Sequence, residues 1–325
     1  MQLPCIANVL AIDPFTMACV SVPSSLVSNS STIRWMVQDT LQSSRLEVNN
    51  MEDIQGHLHG ICKLRLSSGS RLVLKLSPSP NTALLRHERN FLESEATILA
   101  LLKKSSLPIP RILRYDPRSI HLGSPFLLST HVPGISYADA ALHLTRSECR
   151  DIELQLRSLS STISQHTSST FGPAALVASN EGFPTWRESF KAMLESIMMD
   201  AEDMTINLPY HAIREAASSV AKELHDVREA RLVVLGLGRP QNVLLDRRTN
   251  NVIGLLDFGQ AIWGDTAFSE PELCCDRKGL LYICYHAVVT IVTNHYRPHR
   301  DTKELDARKT LTTTIAQLAV GKEGV

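Results

Sequence analysis

The sequence predicts an α+β protein of two lobes, a small β-rich lobe followed by a larger, mainly helical lobe, with a cleft between them. Two observations carry this prediction: segments that alternate apolar and polar residues dominate the first part, and long amphipathic segments dominate the second. A length of 325 residues is sufficient for both lobes. We therefore expect an N-terminal extension at 1–45, a small lobe at 46–131, a large lobe at 132–305 and a C-terminal tail at 306–325.

The small lobe is predicted from two neighbouring segments of alternating polarity, Ile61–Leu66 and Arg71–Leu76, which are typical of half-buried strands. The residues Ser67-Ser-Gly-Ser70 between them suit a hairpin turn. Apolar residues at spacings of three and four then predict a helix over Leu84–Lys104, which the following prolines end. A further strand is expected over Ser124–Thr130.

The large lobe is predicted from four amphipathic stretches with helical periodicity. They are Leu144–Leu159, Trp186–Met204, Ala212–Val227 and Leu280–Tyr296. The extension before the small lobe is rich in Ser, Thr and Val, and it predicts at most one short helix near Trp35–Leu41.

The composition indicates a cytoplasmic protein with neither nucleic-acid nor membrane partners. Lys and Arg together number 33, as do Asp and Glu, so the basic excess that is typical of nucleic-acid binders is missing. The seven cysteines are scattered and odd in number, which favours a reducing compartment over a disulfide framework. No apolar run reaches the roughly 18 residues of a membrane helix. The apolar start of the chain lacks a preceding Lys or Arg and is interrupted by Asp13-Pro14, unlike a signal peptide.

The segment 242–257 carries the strongest chemical signal. Asn242-Val-Leu-Leu245 and Val252-Ile-Gly-Leu-Leu256 predict two strands, and the polar residues between them predict a turn. Pairing of these strands brings Asn242 and Asp257 together at the open end of the hairpin. An amide oxygen and a carboxylate are hard ligands suited to Mg²⁺, which is usually completed by phosphates and water.

These residues resemble the active site of the aminoglycoside phosphotransferase and choline-kinase-like family, in the protein-kinase-like superfamily. The form is similar to that common among filamentous fungi. Asn242 before a strand and Leu256-Asp-Phe-Gly259 after the turn carry the resemblance. Ala261-Ile-Trp-Gly-Asp265, Leu107-Pro-Ile-Pro-Arg111 and the hinge-like Phe126-Leu-Leu support it, and it covers about residues 46–300. It implies a bilobal kinase-like fold with ATP and Mg²⁺ as cofactors, and Asn242 and Asp257 as the metal ligands.

The resemblance also implies a strand lysine that binds nucleotide phosphates and is held by a helix glutamate. Lys75 lies in the expected strand, and Glu95 lies within the apolar stripe of the predicted helix. Glu88, seven residues earlier on the same helix face, is the alternative partner. Gly56 and Gly60 belong to a turn that would cover the phosphates, although two glycines at this spacing are a weak signal. The competing interpretation is that Lys75 is an exposed residue of an alternating strand.

The catalytic loop departs from the family pattern. Active members carry an Asp five residues before the metal-binding Asn, where it accepts or orients the proton of the substrate hydroxyl. In this chain that position is Leu237, and a slip of one residue offers only Gly236 or Gly238. Arg239 is the one charged side chain of the loop. The sequence therefore assigns no catalytic base.

Two functions follow from the resemblance. One is ATP-dependent phosphoryl transfer to a hydroxyl of a small molecule, by analogy in secondary metabolism. The other is a non-catalytic pseudokinase that binds nucleotide or metabolite, or serves as a scaffold. A dinucleotide-binding fold is disfavoured: Gly236 and Gly238 follow a strand, but Gln241 replaces the third glycine and a strand, not a helix, follows. Asp265 is interpreted as a structural hydrogen-bonding residue and not as a second metal ligand.

Overall fold

The small lobe of the computed structural model is a five-stranded antiparallel sheet. The structure describes residues 30–54, 58–78, 82–118, 122–274, 276–297 and 303–320. The strands are β1 (Val48–Ile54), β2 (Gly60–Leu66), β3 (Arg71–Leu76), β4 (Ile112–Asp116) and β5 (Phe126–Thr130), in the order β1-β2-β3-β5-β4. The predicted strands at 61–66, 71–76 and 124–130 and the turn after Leu66 are confirmed, with Gly69 at a φ of +84°.

A helix from the segment predicted as an extension packs on this sheet. Helix α1 (Ser30–Thr40) buries Ile33, Met36 and Val37 in one cluster with the inner face of the strands. Asp39 also binds Arg114 of β4, with 2.6 Å between Oδ2 and Nη1. Periodicity alone predicted a helix here but not its docking, because docking depends on which sheet face is left uncovered.

The helix after β3 is anchored in the large lobe. Helix α2 (Phe91–Leu101) is preceded by a 3₁₀ turn at Arg86–Asn90 and followed by another at Leu102–Lys104, so the predicted helix over 84–104 forms in three parts. Its buried side chains belong to the main apolar core of the large lobe and not to the cluster beneath the sheet. Glu95 is therefore carried by the large lobe, whereas Lys75 is carried by the small sheet.

The large lobe is mainly helical, as predicted. Its helices are α3 (Tyr137–Ala140), α4 (Arg146–Ile163), α5 (Ala174–Ala178), α6 (Trp186–Asp203), α7 (Tyr210–Ser219), α8 (Ala221–His225), α9 (Arg277–Tyr296) and α10 (Lys303–Val320). The Thr145 side chain accepts a hydrogen bond from the Glu148 N–H and so caps α4, and Thr185 caps α6 in the same way through Glu188. Helix α10 packs on α9 and buries Leu311 and Leu318. None of the described helices is long and apolar enough to cross a membrane.

Two small sheets connect these helices to the cleft. The first has the order β11-β10-β6, with β6 (Ile135–Ser136), β10 (Val243–Leu245) and β11 (Val252–Leu255). The second has the order β7-β9-β12-β8, with β7 (Thr167–Ser168), β8 (Gly172–Pro173), β9 (Ala230–Val234) and β12 (Ala261–Gly264). The loop between β9 and β10 contains Leu237 and Asn242, and the loop between β11 and β12 contains Asp257.

Candidate active site

The predicted hairpin forms. Val243 pairs with Leu255 and Leu245 pairs with Val252, in the antiparallel sense. The turn is closed by Asp246, whose Oδ1 accepts hydrogen bonds of 2.9 Å from the N–H groups of Arg248 and Thr249. The pairing continues beyond the strand ends, because the N–H of Leu256 donates to the carbonyl of Asn242 at 2.8 Å. This hydrogen bond places Asn242 beside Leu256, the residue that precedes Asp257.

Asp257 is held in an unusual backbone conformation and points at a lysine of the other lobe. Its φ is +64°, a left-handed value that is uncommon outside glycine and tends to occur at functional sites. Its Oδ1 lies 3.1 Å from Nζ of Lys75. The Lys75 charge, acting against the effect of burial, lowers the pKa of the Asp257 carboxyl, with smaller contributions from His59 and Arg239.

Lys75 joins the two lobes. Besides Asp257, its Nζ contacts Oε2 of Glu95 at 2.6 Å, and the Lys75 side chain is only 12% exposed. Burial alone would lower the pKa of Lys75, but Asp257 and Glu95 outweigh it and raise this pKa. Burial also raises the pKa of Glu95, although the Lys75 ammonium opposes that shift. A lysine that bridges two acids is not the exposed strand residue of the competing interpretation.

Glu88, the alternative partner, is engaged elsewhere. Its Oε1 accepts a hydrogen bond of 2.7 Å from Nη1 of Arg297, beyond the end of α9. Its Oε2 accepts the N–H of Leu85 at 2.9 Å. Glu88 lies in the 3₁₀ turn, which has three residues per turn instead of 3.6, so the helical spacing that placed it on the face of Glu95 does not hold.

Asn242 uses its amide nitrogen within the loop. Nδ2 donates to the carbonyl of Gly236 at 3.2 Å, which leaves the amide oxygen to bind a cation. Among the described residues no group of three or more His, Cys, Asp or Glu side chains could hold a metal ion. A cation here would rely on Asn242 and Asp257 together with phosphate oxygens and water, which is the pattern that Mg²⁺ accepts. The donor set fits Mg²⁺, and the role of these two residues as its ligands stays a prediction.

The turn before β2 places a buried histidine near the charges of Lys75 and Asp257. Gly60 begins β2 opposite Leu76, whereas Gly56 lies outside the described residues. His59 is only 8% exposed. Burial, followed by the Lys75 charge, lowers the pKa of His59 to about 3. Strand pairing could have found it: Ile61 is opposite Lys75, and a residue two positions from Ile61 shares its face.

Leu237, at the position where the resemblance predicts an acid, is apolar and buried. The Leu237 side chain is 7% exposed and belongs to the core of the large lobe. The turn before it depends on Gly236, whose φ is +73°. No carboxylate of the loop compensates, since Arg239 is the one charged side chain between Leu235 and Asn242.

Asp265 is a structural residue of the large lobe. Its Oδ2 accepts hydrogen bonds from the hydroxyl of Tyr282 at 2.8 Å and from Nζ of Lys278 at 2.6 Å. The Tyr282 hydroxyl in turn accepts the indole N–H of Trp186 at 2.6 Å. These contacts agree with the structural interpretation of Asp265.

The two-lobed fold thus brings a lysine of the small sheet, a helix glutamate and a loop aspartate into contact between the lobes. The family model for the phosphotransferase enzyme family matches residues 62–268. The chain therefore belongs to that family, and the resemblance expected from its motifs is confirmed.

Solved structures with this fold are similar to the chain at low sequence identity. A thermostable mutant of aminoglycoside phosphotransferase APH(4)-Ia, in a ternary complex with AMP-PNP and hygromycin B, has a TM-score of 0.60 at 14% identity, over 88% of this chain and 98% of that one. A putative aminoglycoside phosphotransferase from Ralstonia eutropha has a TM-score of 0.59 at 11% identity, over 89% and 96%. A putative fructosamine-3-kinase from Thermobifida fusca has a TM-score of 0.52 at 17% identity, over 86% and 97%. No curated protein matches the sequence. The predicted bilobal α+β fold is confirmed.

Proposed function

We propose that the chain binds ATP with Mg²⁺ in the cleft and transfers the γ-phosphoryl group to a small molecule. The observation that supports this most directly is the convergence of Lys75, Glu95 and Asp257, which come from three separate elements and both lobes. A solved structure of similar fold holds AMP-PNP and the hydroxylated compound hygromycin B, which favours a nucleotide and a hydroxylated acceptor here. A cytoplasmic location and a place in secondary metabolism remain part of the proposal.

The residues take the roles that their chemistry allows. Lys75 would bind α- and β-phosphate oxygens, and Glu95 would fix the position of its ammonium. The oxygens of Asn242 and Asp257 would hold Mg²⁺, which would neutralise phosphate charge when bound. Asp257 is paired with Lys75, so binding of phosphates and Mg²⁺ would replace that contact by contacts to the ligand.

The reaction lacks a base supplied by the loop. Loss of a positioned general base typically lowers a rate by about 10²–10⁴, or roughly 3–5 kcal/mol of barrier. Phosphoryl transfer depends mostly on positioning and electrostatics, so this loss slows the reaction without abolishing it. The buried Leu237 side chain favours a second candidate function, a pseudokinase that binds nucleotide without transferring phosphate.

Thermal unfolding with and without Mg²⁺ and ATP tests nucleotide binding. A ligand at a hundredfold excess over its Kd stabilises the folded state by about 2.7 kcal/mol. We expect Asp257→Asn to remove the Mg²⁺-dependent part of this stabilisation. Asp151→Asn, at an exposed position of α4, is the matched control and should retain it. A full Mg²⁺-dependent shift in Asp257→Asn would exclude the metal assignment, and no shift in the wild-type protein would exclude nucleotide binding.

Turnover distinguishes the two candidate functions. If ATP binds but is not consumed with any acceptor, the pseudokinase is favoured. Recovery of turnover in Leu237→Asp would then identify a kinase that has lost its base. Because a carboxylate at the buried position 237 can prevent folding, Gly238→Asp is the second variant: Gly238 is exposed, and an added Cβ would lie 3.9 Å from the nearest atom of Leu156.

A further inference from the structure

The loop that lacks an acid presents an unused cation. Arg239 is exposed, and its guanidinium forms no hydrogen bond or ion pair with any residue that the structure describes, although its charge contributes to the lowered pKa of Asp257. Arg214, Arg231 and Arg297 of the large lobe, by contrast, are each paired with a glutamate. A guanidinium without a partner beside a ligand cleft is available to bind an anion.

The backbone directs this cation towards the position of the missing base. The N–H of Arg239 donates to the carbonyl of Gly236 at 3.1 Å, which closes a tight turn around Leu237. The side chain then folds back over Gly236: a Cβ added to that glycine would lie 2.6 Å from Nε of Arg239. Only glycine allows both this approach and the φ of +73°. The guanidinium therefore lies against the residue next to Leu237.

Asp257, the acid of the loop between β11 and β12, is unsuited to replace the missing one. Asp257 is already paired with Lys75 at 3.1 Å. It is also the proposed ligand of the metal, and a carboxylate coordinated to a divalent cation is a poor proton acceptor. The proton of an acceptor hydroxyl must therefore leave through a group that this loop does not contain.

We propose that the acceptor is a hydroxy acid whose own carboxylate binds Arg239 and takes the proton of the reacting hydroxyl. This inference rests on the proposed function and names its substrate class. A planar carboxylate matches the fork of a guanidinium, and one unpaired cation balances one negative charge. The acceptor thus supplies the carboxylate that the loop lacks. Arg239 holds this carboxylate beside Leu237, the position where the family pattern has its acid.

The step balances without a protein base. The hydroxyl oxygen of the acceptor attacks the γ-phosphorus, and the bond from that phosphorus to the oxygen bridging the β- and γ-phosphates breaks. ADP leaves with the electron pair of that bond. The hydroxyl proton passes to the carboxylate of the acceptor, which is then a carboxylic acid and loses the proton to solvent. The products are ADP and a phosphorylated hydroxy acid.

Hydrolysis of ATP with water as the acceptor tests this inference without knowledge of the natural acceptor. Added acetate should bind Arg239, act as the base and accelerate hydrolysis in a saturable manner by at least about tenfold, a part of what a positioned base provides. Chloride at the same ionic strength should not. The acceleration should vanish in Arg239→Gln and persist in Arg247→Gln, which changes an exposed arginine in the turn between β10 and β11.

A binding measurement supports the kinetic one. With Mg²⁺ and AMP-PNP present, acetate should raise the midpoint of thermal unfolding of the wild-type protein but not of Arg239→Gln. In Leu237→Asp or Gly238→Asp, acetate should no longer accelerate hydrolysis, because the protein again supplies the carboxylate.

Three results would overturn the inference. The first is the absence of any acetate effect on a protein that binds Mg²⁺ and ATP. The second is an acetate effect that persists in Arg239→Gln. The third is loss of ATP binding in Arg239→Gln, which would assign this arginine to the nucleotide. Failure of the proposed function is distinguishable, since Mg²⁺ and ATP would then not stabilise the wild-type protein at all.

Discussion

Lys75 and Asp257 are 182 positions apart in the sequence, and their charged atoms lie 3.1 Å apart across the cleft. The same ammonium lies 2.6 Å from Glu95, so one cation serves two acids. Because Glu95 and Asp257 belong to the large lobe and Lys75 to the small sheet, this cluster is an ionic contact between the lobes as well as the proposed phosphate site.

Removal of the Lys75 ammonium should change how the free energy of unfolding depends on pH. Lys75→Met leaves the buried Glu95 carboxylate without its partner, which typically costs about 3–5 kcal/mol. The Glu95 pKa is already raised by burial and will rise further once the ammonium is gone. The folded variant then binds a proton that the unfolded chain has released, so the free energy of unfolding should increase as the pH falls from 8 to 5. Urea unfolding at both pH values measures this.

The control for this prediction is Lys75→Met combined with Glu95→Gln, which has no carboxyl to titrate at position 95. The double variant should lose most of the added pH dependence. A single variant whose stability follows that of the wild-type protein across this range would contradict the assignment of Glu95 as the buried partner.

His59 should make the protein less stable in mild acid. Burial lowers its pKa from 6.5 to about 3, so between these values the unfolded chain binds a proton and the folded protein does not. The contribution of His59 to the free energy of unfolding is therefore complete above about pH 7 and is lost as the pH falls towards 3. At pH 5 the loss relative to pH 8 is about 2 kcal/mol.

Urea unfolding of the wild-type protein and of His59→Asn, without nucleotide or metal, checks this value. The difference between the two proteins should change between pH 8 and pH 5. His225→Asn, at an exposed position of α8, should show no such change. Equal changes in both variants would mean that His59 is not the residue responsible.

The hydrogen-bonded chain from Trp186 through Tyr282 to Asp265 should stabilise the large lobe. Tyr282→Phe preserves the ring but leaves the indole N–H of the fully buried Trp186 without its acceptor, at a cost of about 1–3 kcal/mol. The change should appear as a lower urea midpoint with an unchanged slope. Tyr285→Phe is the matched control, because the Tyr285 hydroxyl makes no hydrogen bond to a described residue, and its midpoint should change little.

Local sequence patterns were sufficient for most of the fold. Alternation predicted β2 and β3, and the residues between them predicted the turn. The hairpin of β10 and β11 was equally local, so its open end could be located from the sequence. Helical periodicity predicted α4, α6 and α9 to within a few residues. The family resemblance rested on the same segments, and the match at residues 62–268 confirms it.

Contacts between distant segments were harder to predict from the sequence. Glu88 and Glu95 are equivalent on an ideal helix, and only the 3₁₀ geometry at Arg86–Asn90 and the position of Arg297 separate them. The pKa of His59 depends on its burial and on the charges of Lys75 and Asp257, which the pattern of its own turn does not contain.

By itself, the sequence determined which elements form and which residue types lie in the loops around the candidate site. The tertiary structure decided which of these residues meet: Glu95 with Lys75, α1 with the sheet, and Arg239 with the backbone beside Leu237. The physical reason is that periodicity and turn chemistry act over a few neighbouring residues. Ion pairing and burial act between surfaces that only the folded chain brings into contact.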